Sequence, residues 1–257
     1  MKSLISRLIG ATRRSTAPAI CPVCNSDGVS FVPLDNYYQE NAKANGYRYF
    51  GQGEMTAIET YSCRNCGASD RERLYAYWLD QEIAMGRFPI GTKLMHFSPE
   101  PALRASIKQK QLFDYATADL VMEGVDHHVD LMNLPFANES FDFFICSHVL
   151  EHVPNDRRAI QELYRISRKG ARGILMAPII VGLTCTDEET FPTPPKERWR
   201  RFGQDDHVRL YAHDDYVQRI CESGFNLQQL DQSYFGVQTF KRLGLKDSSI
   251  LYIVSKA

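Results

Sequence analysis

The feature that most constrains the fold is a regular alternation of short apolar segments with helical stretches from residue 93 onward. Strands are predicted at residues 93–97, 115–120, 128–131, 141–147, 173–178, 225–231 and 249–255, and helices at 102–111, 155–167 and 214–223. Strands that alternate with helices form a mostly parallel sheet covered on both faces. The sequence therefore predicts one α/β domain over residues 90–257.

Two Cys-x-x-Cys pairs precede this domain. Cys21 and Cys24 form the first pair, and Cys63 and Cys66 form the second. Four thiolates on two tight turns are the ligand set of a structural zinc ion, with no position left open for a substrate. A single pair would also suit a redox site, but two pairs favour a zinc ribbon over residues 18–72. The long spacing between the pairs predicts an inserted hairpin.

Two further segments lie outside the ribbon and the larger domain, and the N-terminal one bears on localisation. Residues 73–89 are predicted to form a helix that links the ribbon to the larger domain. Residues 1–17 begin with a basic, acid-free stretch whose apolar side chains recur at helical spacing. Residues 1–14 therefore form either a helix that docks on a membrane surface or a partner, or a tail packed on its own protein. Seven cysteines in pairs and singles argue against a secreted disulfide framework. We expect a cytoplasmic protein, with peripheral contact at the inner membrane left open.

The charge balance bears on nucleic-acid binding. The formal net charge is -1 at pH 7, whereas a protein that holds nucleic acid through phosphate contacts usually has a basic excess. The sequence as a whole therefore carries no strong nucleic-acid signature, although a local basic patch remains open.

Candidate ligand-binding residues follow the predicted strands. In an open parallel sheet, ligands bind beyond the carboxyl ends of the strands, where the strand order reverses. Asp119 ends the second strand, where a carboxylate suits the ribose hydroxyls of an adenosine, and Asp130 ends the third, where it suits the adenine amino group. The predicted cofactor-binding residues are His96, Phe97, Ser98, Glu100, Asp119, Leu120, Asp130, Leu131, Ser147 and His148.

A family resemblance is carried by residues 130–170, DLMNLPFANESFDFFICSHVLEHVPNDRRAIQELYRISRKG. They follow the pattern D-x-x-x-L-P-F-x-x-x-S-F-D…H-x-L-E-H…E-x-x-R-x-x-x-x-G. This stretch resembles the type 11 group of class I S-adenosylmethionine (SAM) dependent methyltransferases. The resemblance covers about residues 90–257. It implies a Rossmann-like seven-stranded sheet with the last strand antiparallel, SAM as cofactor and methyltransferase activity.

The loop after the first strand departs from this family. The family has a glycine-rich E-x-G-x-G-x-G loop, and glycines let the backbone approach the methionine part of SAM. This chain has HFSPEPA. It is similar to a bacterial subgroup with H-F-x-P-E at this position, a cysteine ribbon ahead of the domain, and G-Q-x-D-H-V-R, here residues 203–209. Since SAM has no pyrophosphate that needs a cradle, a loop of different path can still bind it. A non-catalytic SAM-binding scaffold stays open.

The acceptor site is predicted in the long, proline-rich segment of residues 179–211, as a lid or wall. His207 is the candidate general base for a hydroxyl, with a structural loop histidine as the alternative and His148 as the next candidate. Arg209 is expected to hold an anionic acceptor. Trp199 and Tyr211 are expected to stack on a sugar or a base, or to belong to the core. The predicted acceptor is polar or anionic, and a glycan suits this site.

These expectations lead to three functions. The first is O-methylation of a sugar hydroxyl in surface polysaccharide or glycolipid biosynthesis, because relatives that resemble this chain are linked to glycan assembly. The second is methylation of an RNA base, because a zinc ribbon ahead of a class I domain resembles the zinc-containing ribosomal RNA guanine methyltransferases. The near-neutral charge counts against it. The third is the SAM-binding scaffold. The fold alone decides none of them.

Overall fold

The computed structural model describes residues 17–257, so the predicted basic segment lies outside the described residues except for its last position. Elements are numbered in chain order. The strands are β1 (Ile20–Cys21), β2 (Ser26–Asp27), β3 (Phe31–Val32), β4 (Ser62–Cys63), β5 (Thr92–Phe97), β6 (Phe113–Asp119), β7 (His127–His128), β8 (Phe141–Ser147), β9 (Ser167–Met176), β10 (Asp187–Glu188), β11 (Arg209–Leu210), β12 (Asn226–Leu230) and β13 (Leu251–Ser255). The helices are α1 (Asn36–Asn45), α2 (Asp70–Ala84), α3 (Pro101–Gln109), α4 (Asp156–Ile166), α5 (Pro195–Phe202), α6 (His213–Glu222), α7 (Gln232–Phe235) and α8 (Val237–Leu243).

Seven of the strands form one central sheet in the order β12-β13-β9-β8-β5-β6-β7. The pairs from β9 to β7 are parallel, whereas β13 runs antiparallel to both of its neighbours. The run FDFFICS in β8 is buried along its last five residues, as expected for a parallel strand covered on both faces. The predicted Rossmann-like sheet is confirmed, including its antiparallel last strand.

The strand order reverses at β5. This strand pairs with β6 on one side and with β8 on the other, and all three run parallel. Neighbouring connections therefore leave β5 and β8 in opposite directions and open a crevice at their carboxyl ends. The loop after β5 and the turn after β8 lie at this crevice, which places the candidate site.

Residues 18–69, which carry both cysteine pairs, are here called the cysteine unit. Helix α2 packs between this unit and the sheet. It begins at Asp70, three residues before the predicted start, because Ser69 and Glu72 form a capping box in which each side chain accepts a hydrogen bond from the other's backbone N–H. Arg73 is fully buried in this helix and donates to the carbonyls of Leu243, Tyr61 and Ala68. The linking helix thereby ties the cysteine unit to the C-terminal part of the chain.

The insertion between the cysteine pairs contains helix α1, so the predicted hairpin is wrong. Asp35 caps the helix by accepting a hydrogen bond from the Tyr37 backbone N–H, and Gly46 ends it with φ of 73°. A residue in this left-handed conformation after the last turn is a usual helix stop, and glycine adopts it without strain. The insertion therefore offers a helix face to the rest of the protein.

The segment of residues 179–211 is more regular than a loop. It contains α5 and the antiparallel pair β10–β11. Helix α5 packs against α1, and the rings of Tyr37 and Trp199 lie 6.3 Å apart at their centroids. The segment and the insertion thus cover the same end of the sheet. In the part of the chain that the structure describes, no helix is long and apolar enough to cross a membrane.

Candidate cofactor and acceptor site

A cavity of about 560 Å³, here called the first cavity, opens at the carboxyl ends of β5, β6 and β8. This volume lies within the range of small-molecule sites, roughly 300–1,000 Å³. Its walls come from the loop after β5, the ends of β6 and β7, and the turn after β8. The lining residues are Phe97, Ser98, Ala118, Asp119, Leu120, Val121, Val129, Asp130, Leu131, Met132, His148, Val149, His152, Val153, Pro154 and Asp206.

Seven of the ten predicted cofactor-binding residues line the first cavity. They are Phe97, Ser98, Asp119, Leu120, Asp130, Leu131 and His148. Leu120 and Val121 are exposed apolar side chains at its wall, and a planar base would cover them. The cavity therefore combines two carboxylates with an apolar face, which fits the ribose and adenine parts of SAM.

Asp119 is ionised and fixed in place. Its Oδ1 accepts from the backbone N–H groups of Val121 and Met122 at 2.8 and 2.7 Å, and its Oδ2 accepts from the Ser98 hydroxyl. Partial burial raises the pKa of Asp119, but these hydrogen bonds outweigh burial and lower it. Oδ1 thus accepts two hydrogen bonds, whereas Oδ2 accepts one and keeps a free lone pair. Oδ2 can therefore still accept a hydrogen bond from a ribose hydroxyl.

Two non-glycine residues at the first cavity have a left-handed backbone. Ser98 has φ of 47° and His148 has φ of 56°. Such conformations cost free energy for a residue with a side chain and cluster at functional sites. Ser98 thus adopts in the HFSPE loop a conformation that glycine would adopt without strain. The loop follows a tight path despite having no glycine.

The other three predicted cofactor residues, His96, Glu100 and Ser147, do not line the first cavity. His96 is fully buried and bridges the Tyr115 hydroxyl at 2.9 Å and Glu100 at 3.1 Å. Arg71 from α2 lies 3.5 Å from the same carboxylate. Burial raises the pKa of Glu100, but His96 and Arg71 outweigh it and lower it to about 2. Ser147 faces the Tyr75 hydroxyl at 3.1 Å.

His96, Glu100 and Arg71 therefore support the loop from below. A buried network of charges that face each other holds the backbone of this glycine-free loop. The pleat of β5 keeps His96 away from the first cavity, since His96 and Phe97 point to opposite faces of the sheet.

A group of four titratable side chains, here called the histidine cluster, lies beside the first cavity. It consists of His148, Glu151, His152 and His207. His148 Nδ1 lies 3.3 Å from Glu151 Oε1, and the rings of His152 and His207 meet edge to face with centroids 4.7 Å apart. Burial raises the pKa of Glu151, but the contact with His148 and the nearby His207 and His152 outweigh it and lower it to about 2. Burial lowers the pKa of His207 to about 4, so its imidazole is neutral at pH 7.

A second cavity of about 140 Å³ lies on the other side of His207. The insertion supplies Tyr38, Tyr47, Tyr49 and Phe50 to its wall. The segment after β9 supplies the opposite wall through Ile180, Phe202, Gln204, His207 and Leu210. His207 lines this cavity, and its stacking partner His152 lines the first one. The histidine cluster therefore lies between the two cavities.

Comparison with known proteins agrees with this arrangement. Residues 94–175, which run from β5 to β9, match a family model described as a methyltransferase domain.

Residues 94–175 therefore carry a methyltransferase domain.

Individual relatives are distant. An uncharacterized protein of Methanocaldococcus jannaschii is 27% identical over 106 residues, which are 40% of this chain and 47% of that protein. The match thus spans about half the length of the relative. Among solved structures, the chain is similar to a SAM-dependent methyltransferase from Mesorhizobium loti, with TM-score 0.46, 15% identity and coverage of 68% of this chain and 94% of that one. It is also similar to the YcgJ protein from Bacillus subtilis, with TM-score 0.44, 13% identity and coverage of 70% and 99%.

Three residues predicted to bind the acceptor are buried in the segment of residues 179–211 and contact other parts of this chain. Arg209 is 2% exposed and donates to the carbonyls of Leu150, Val153 and Pro154. The Tyr211 hydroxyl is fully buried and donates to Asp156 at 2.6 Å. Trp199 is buried against α1. Each of the three is enclosed by its own protein in this structure, and their contact with the acceptor stays a prediction.

The remaining arginines of the same segment are also engaged. Arg198, Arg200 and Arg201 pair with Glu189, Glu197 and Asp187, respectively. With Arg209 held inside, none of these four guanidinium groups is left unpaired in the described chain. The structure therefore offers an anionic acceptor less positive charge than the sequence suggests.

The four cysteines of the two pairs converge ahead of the methyltransferase domain. Cys21 Sγ lies 3.7 Å from Cys66 Sγ, and Cys24 Sγ lies 3.9 Å from Cys63 Sγ. All four sulfur atoms lie within 4.8 Å of one another, and the thiols are free. Tetrahedral zinc with Zn–S bonds of about 2.3 Å requires sulfur atoms roughly 3.8 Å apart. The donor set and its spacing fit zinc.

Sequence reasoning missed two site residues. Glu151 lies inside the H-x-L-E-H motif, so its place beside two histidines is a signal that was available. Arg71 is one of many exposed-looking charges at the start of a helix, and no sequence signal distinguishes it. The tyrosines of the insertion were not predicted to line a site, because their position over the methyltransferase domain depends on the tertiary fold.

Proposed function

We propose that the protein transfers the methyl group of SAM to a hydroxyl of a neutral sugar at the end of a glycan. The observation that carries this proposal is that the histidine cluster lies between the two cavities and supplies residues to the walls of both. One cavity has the donor-binding carboxylate Asp119, and the other has a wall of tyrosines.

The second cavity supports a small, uncharged acceptor. Its volume of about 140 Å³ is below the range of drug-sized sites, so it suits a single ring. Tyrosines present an apolar face and a polar tip, which matches a sugar ring with C–H faces and hydroxyl edges. Tyr47 stays protonated because burial raises its pKa, so it can donate a hydrogen bond. The paired arginines nearby favour a neutral acceptor over an anionic one.

The reaction needs alignment and the removal of one proton. SAM supplies a methyl group on a sulfonium. The acceptor oxygen forms the new bond to the methyl carbon, the sulfur–carbon bond breaks with its electron pair left on sulfur, and the hydroxyl proton leaves to a base or to water. His207 lines the second cavity and has a neutral imidazole. It is therefore our first candidate for the base that accepts the proton of the acceptor hydroxyl, and His148 is the second.

We further propose that Cys21, Cys24, Cys63 and Cys66 hold a structural zinc ion. The cysteine unit holds both ends of the insertion, and the tyrosines of this insertion line the second cavity. Loss of the metal would therefore affect acceptor binding as well as folding.

The direct test measures formation of S-adenosylhomocysteine with a panel of neutral glycosides and with RNA, and identifies the product by mass spectrometry. We expect a methyl ether on a sugar. His207→Ala should lower turnover about a hundredfold to ten-thousandfold with unchanged SAM affinity, and His213→Ala, outside the site, should change neither. Methylation of an RNA base in place of a sugar would overturn the proposal, and so would SAM binding without turnover on any acceptor, which favours the scaffold.

A further inference from the structure

We infer that the histidine cluster binds a divalent transition-metal ion through Glu151, His152 and His207, separately from the cysteine site. The ligand atoms of these three residues lie within 4.8 Å of one another. Two imidazoles and one carboxylate form the ligand set of open metal sites that keep positions for water or substrate. Imidazole ligands favour Zn²⁺, Co²⁺ or Fe²⁺ over Mg²⁺ or Ca²⁺.

Two buried side chains at the centre of the histidine cluster, Glu151 and His207, have polar atoms without a hydrogen bond in the described part of the chain. Glu151 is completely buried; within residues 17–257 its Oε2 has no hydrogen bond, and its Oε1 has only the 3.3 Å contact with His148 Nδ1. His207 Nδ1 is likewise buried without a hydrogen bond in that range. Buried polar atoms are nearly always hydrogen-bonded, so the unsatisfied Glu151 Oε2 and His207 Nδ1 require an explanation. A single bound cation would be coordinated by both groups and would satisfy them.

The surroundings fit a metal site of this kind. His148 Nδ1 lies 3.3 Å from Glu151 Oε1, and Asp206 Oδ2 lies 3.3 Å from His152 Nδ1. Neighbouring groups at such distances orient metal ligands and adjust their basicity. The Val208 backbone N–H also donates to the Glu151 carbonyl at 2.8 Å, which joins the segment carrying His207 to the turn carrying Glu151.

The location of the histidine cluster between the two cavities indicates how a bound metal ion would take part in the reaction. The cluster separates the first cavity from the second, so an ion there would face a hydroxyl of the acceptor and lower its pKa. His207 would then act on the hydroxyl through the ion, as a ligand. This use rests on the proposed function, whereas metal binding itself requires neither SAM nor acceptor.

The test is a titration of the zinc-loaded full-length chain with Co²⁺, followed by calorimetry and by visible absorption. We expect one saturable Co²⁺ per chain in addition to the cysteine-bound zinc, without a thiolate charge-transfer band. Glu151→Gln should weaken Co²⁺ binding at least about a hundredfold because it removes the anionic ligand. The half-exposed His152→Gln should weaken it similarly with less risk to folding. His127→Gln is the matched control, because it removes an exposed histidine that could bind metal adventitiously.

Two results would overturn the inference. One is the absence of saturable Co²⁺ binding to the parent protein at millimolar concentration. The other is equal binding by the parent and by a folded variant that lacks Glu151 or His152, where zinc content and thermal unfolding report the fold. Saturable binding that these variants lose would support the metal site even if no sugar were methylated. Methyl transfer that proceeds unchanged in a metal-free protein would restrict the ion to a structural role.

Discussion

Replacing Arg209 by methionine should destabilise the protein strongly without acting directly on the acceptor. The guanidinium is enclosed at the end of the H-x-L-E-H turn and lies 3.8 Å from the Asp156 carboxylate. It donates to three backbone carbonyls, among them that of Pro154 at 2.9 Å. Methionine keeps the length of the side chain and removes the charge and the donors. Asp156 and the carbonyls would then be buried with fewer partners.

The magnitude follows from this loss of partners. Removing one member of a buried ion pair costs about 3–5 kcal/mol, and each orphaned carbonyl adds to this in a non-additive way. Arg219 also pairs with Asp156 at 2.7 Å, which limits the cost to the lower part of that range or its middle. For a chain of this size, 1 kcal/mol shifts the midpoint by about 2–4 °C. We therefore expect thermal unfolding roughly 6–16 °C below that of the parent.

Differential scanning fluorimetry or circular dichroism measures the shift. Arg200→Met is the matched control, because Arg200 forms an exposed pair with Glu197. Solvent screens an exposed pair, so the control should unfold at nearly the same temperature as the parent. If Arg209→Met unfolded like the parent and only raised the KM for the acceptor, Arg209 would be an acceptor-binding residue and the structural assignment would be refuted.

Three further predictions concern the metal, the cofactor and the pH dependence of stability. Cys63→Ser should lose the zinc ion found by elemental analysis, whereas Cys185→Ser, at an exposed single cysteine, should retain it; retained zinc in Cys63→Ser would contradict the four-thiolate site. Asp119→Ala should weaken SAM binding in calorimetry by about 1–3 kcal/mol, and the exposed Asp114→Ala should leave it unchanged; equal affinities would remove Asp119 from the site. Burial raises the pKa of Glu54 to about 7, so the folded state holds its proton longer than the unfolded state does. Its contribution to stability is complete below its ordinary pKa of 4.5 and is lost as the pH rises through about 7. The unfolding free energy of the parent should therefore fall across that window more than that of Glu54→Gln, and parallel pH profiles would contradict this.

The carboxylates of the first cavity could be predicted from the sequence because each follows a strand directly. Asp119 and Asp130 come after runs whose apolar pattern marks a strand, and parallel strands end at one edge of the sheet. The pattern from Asp130 to Gly170 identified the domain type for the same reason, since it records strand, turn and helix in order. Four cysteines in two tight pairs likewise predicted one cluster, which the sulfur distances match.

The interior roles of charged residues depended on tertiary structure. Arg209 and His96 are polar residues beside a predicted site, and their sequence neighbours give no sign of burial. Only the packing of the segment after β9 against the H-x-L-E-H turn encloses Arg209, and only the pleat of β5 turns His96 away from the cavity. Contacts between residues distant in sequence decide such roles, so local patterns cannot report them.

The sequence by itself thus determined the sheet and predicted seven of the residues that line the first cavity, because these follow from local periodicity and from the ends of strands. Only the tertiary structure decided what the acceptor meets. The second cavity forms where an insertion of the cysteine unit packs against a segment about 150 residues later in the chain. The histidine cluster joins the turn after β8 to that same segment. Neither contact leaves a periodic signal in the sequence, since each depends on how separate elements pack on the finished sheet.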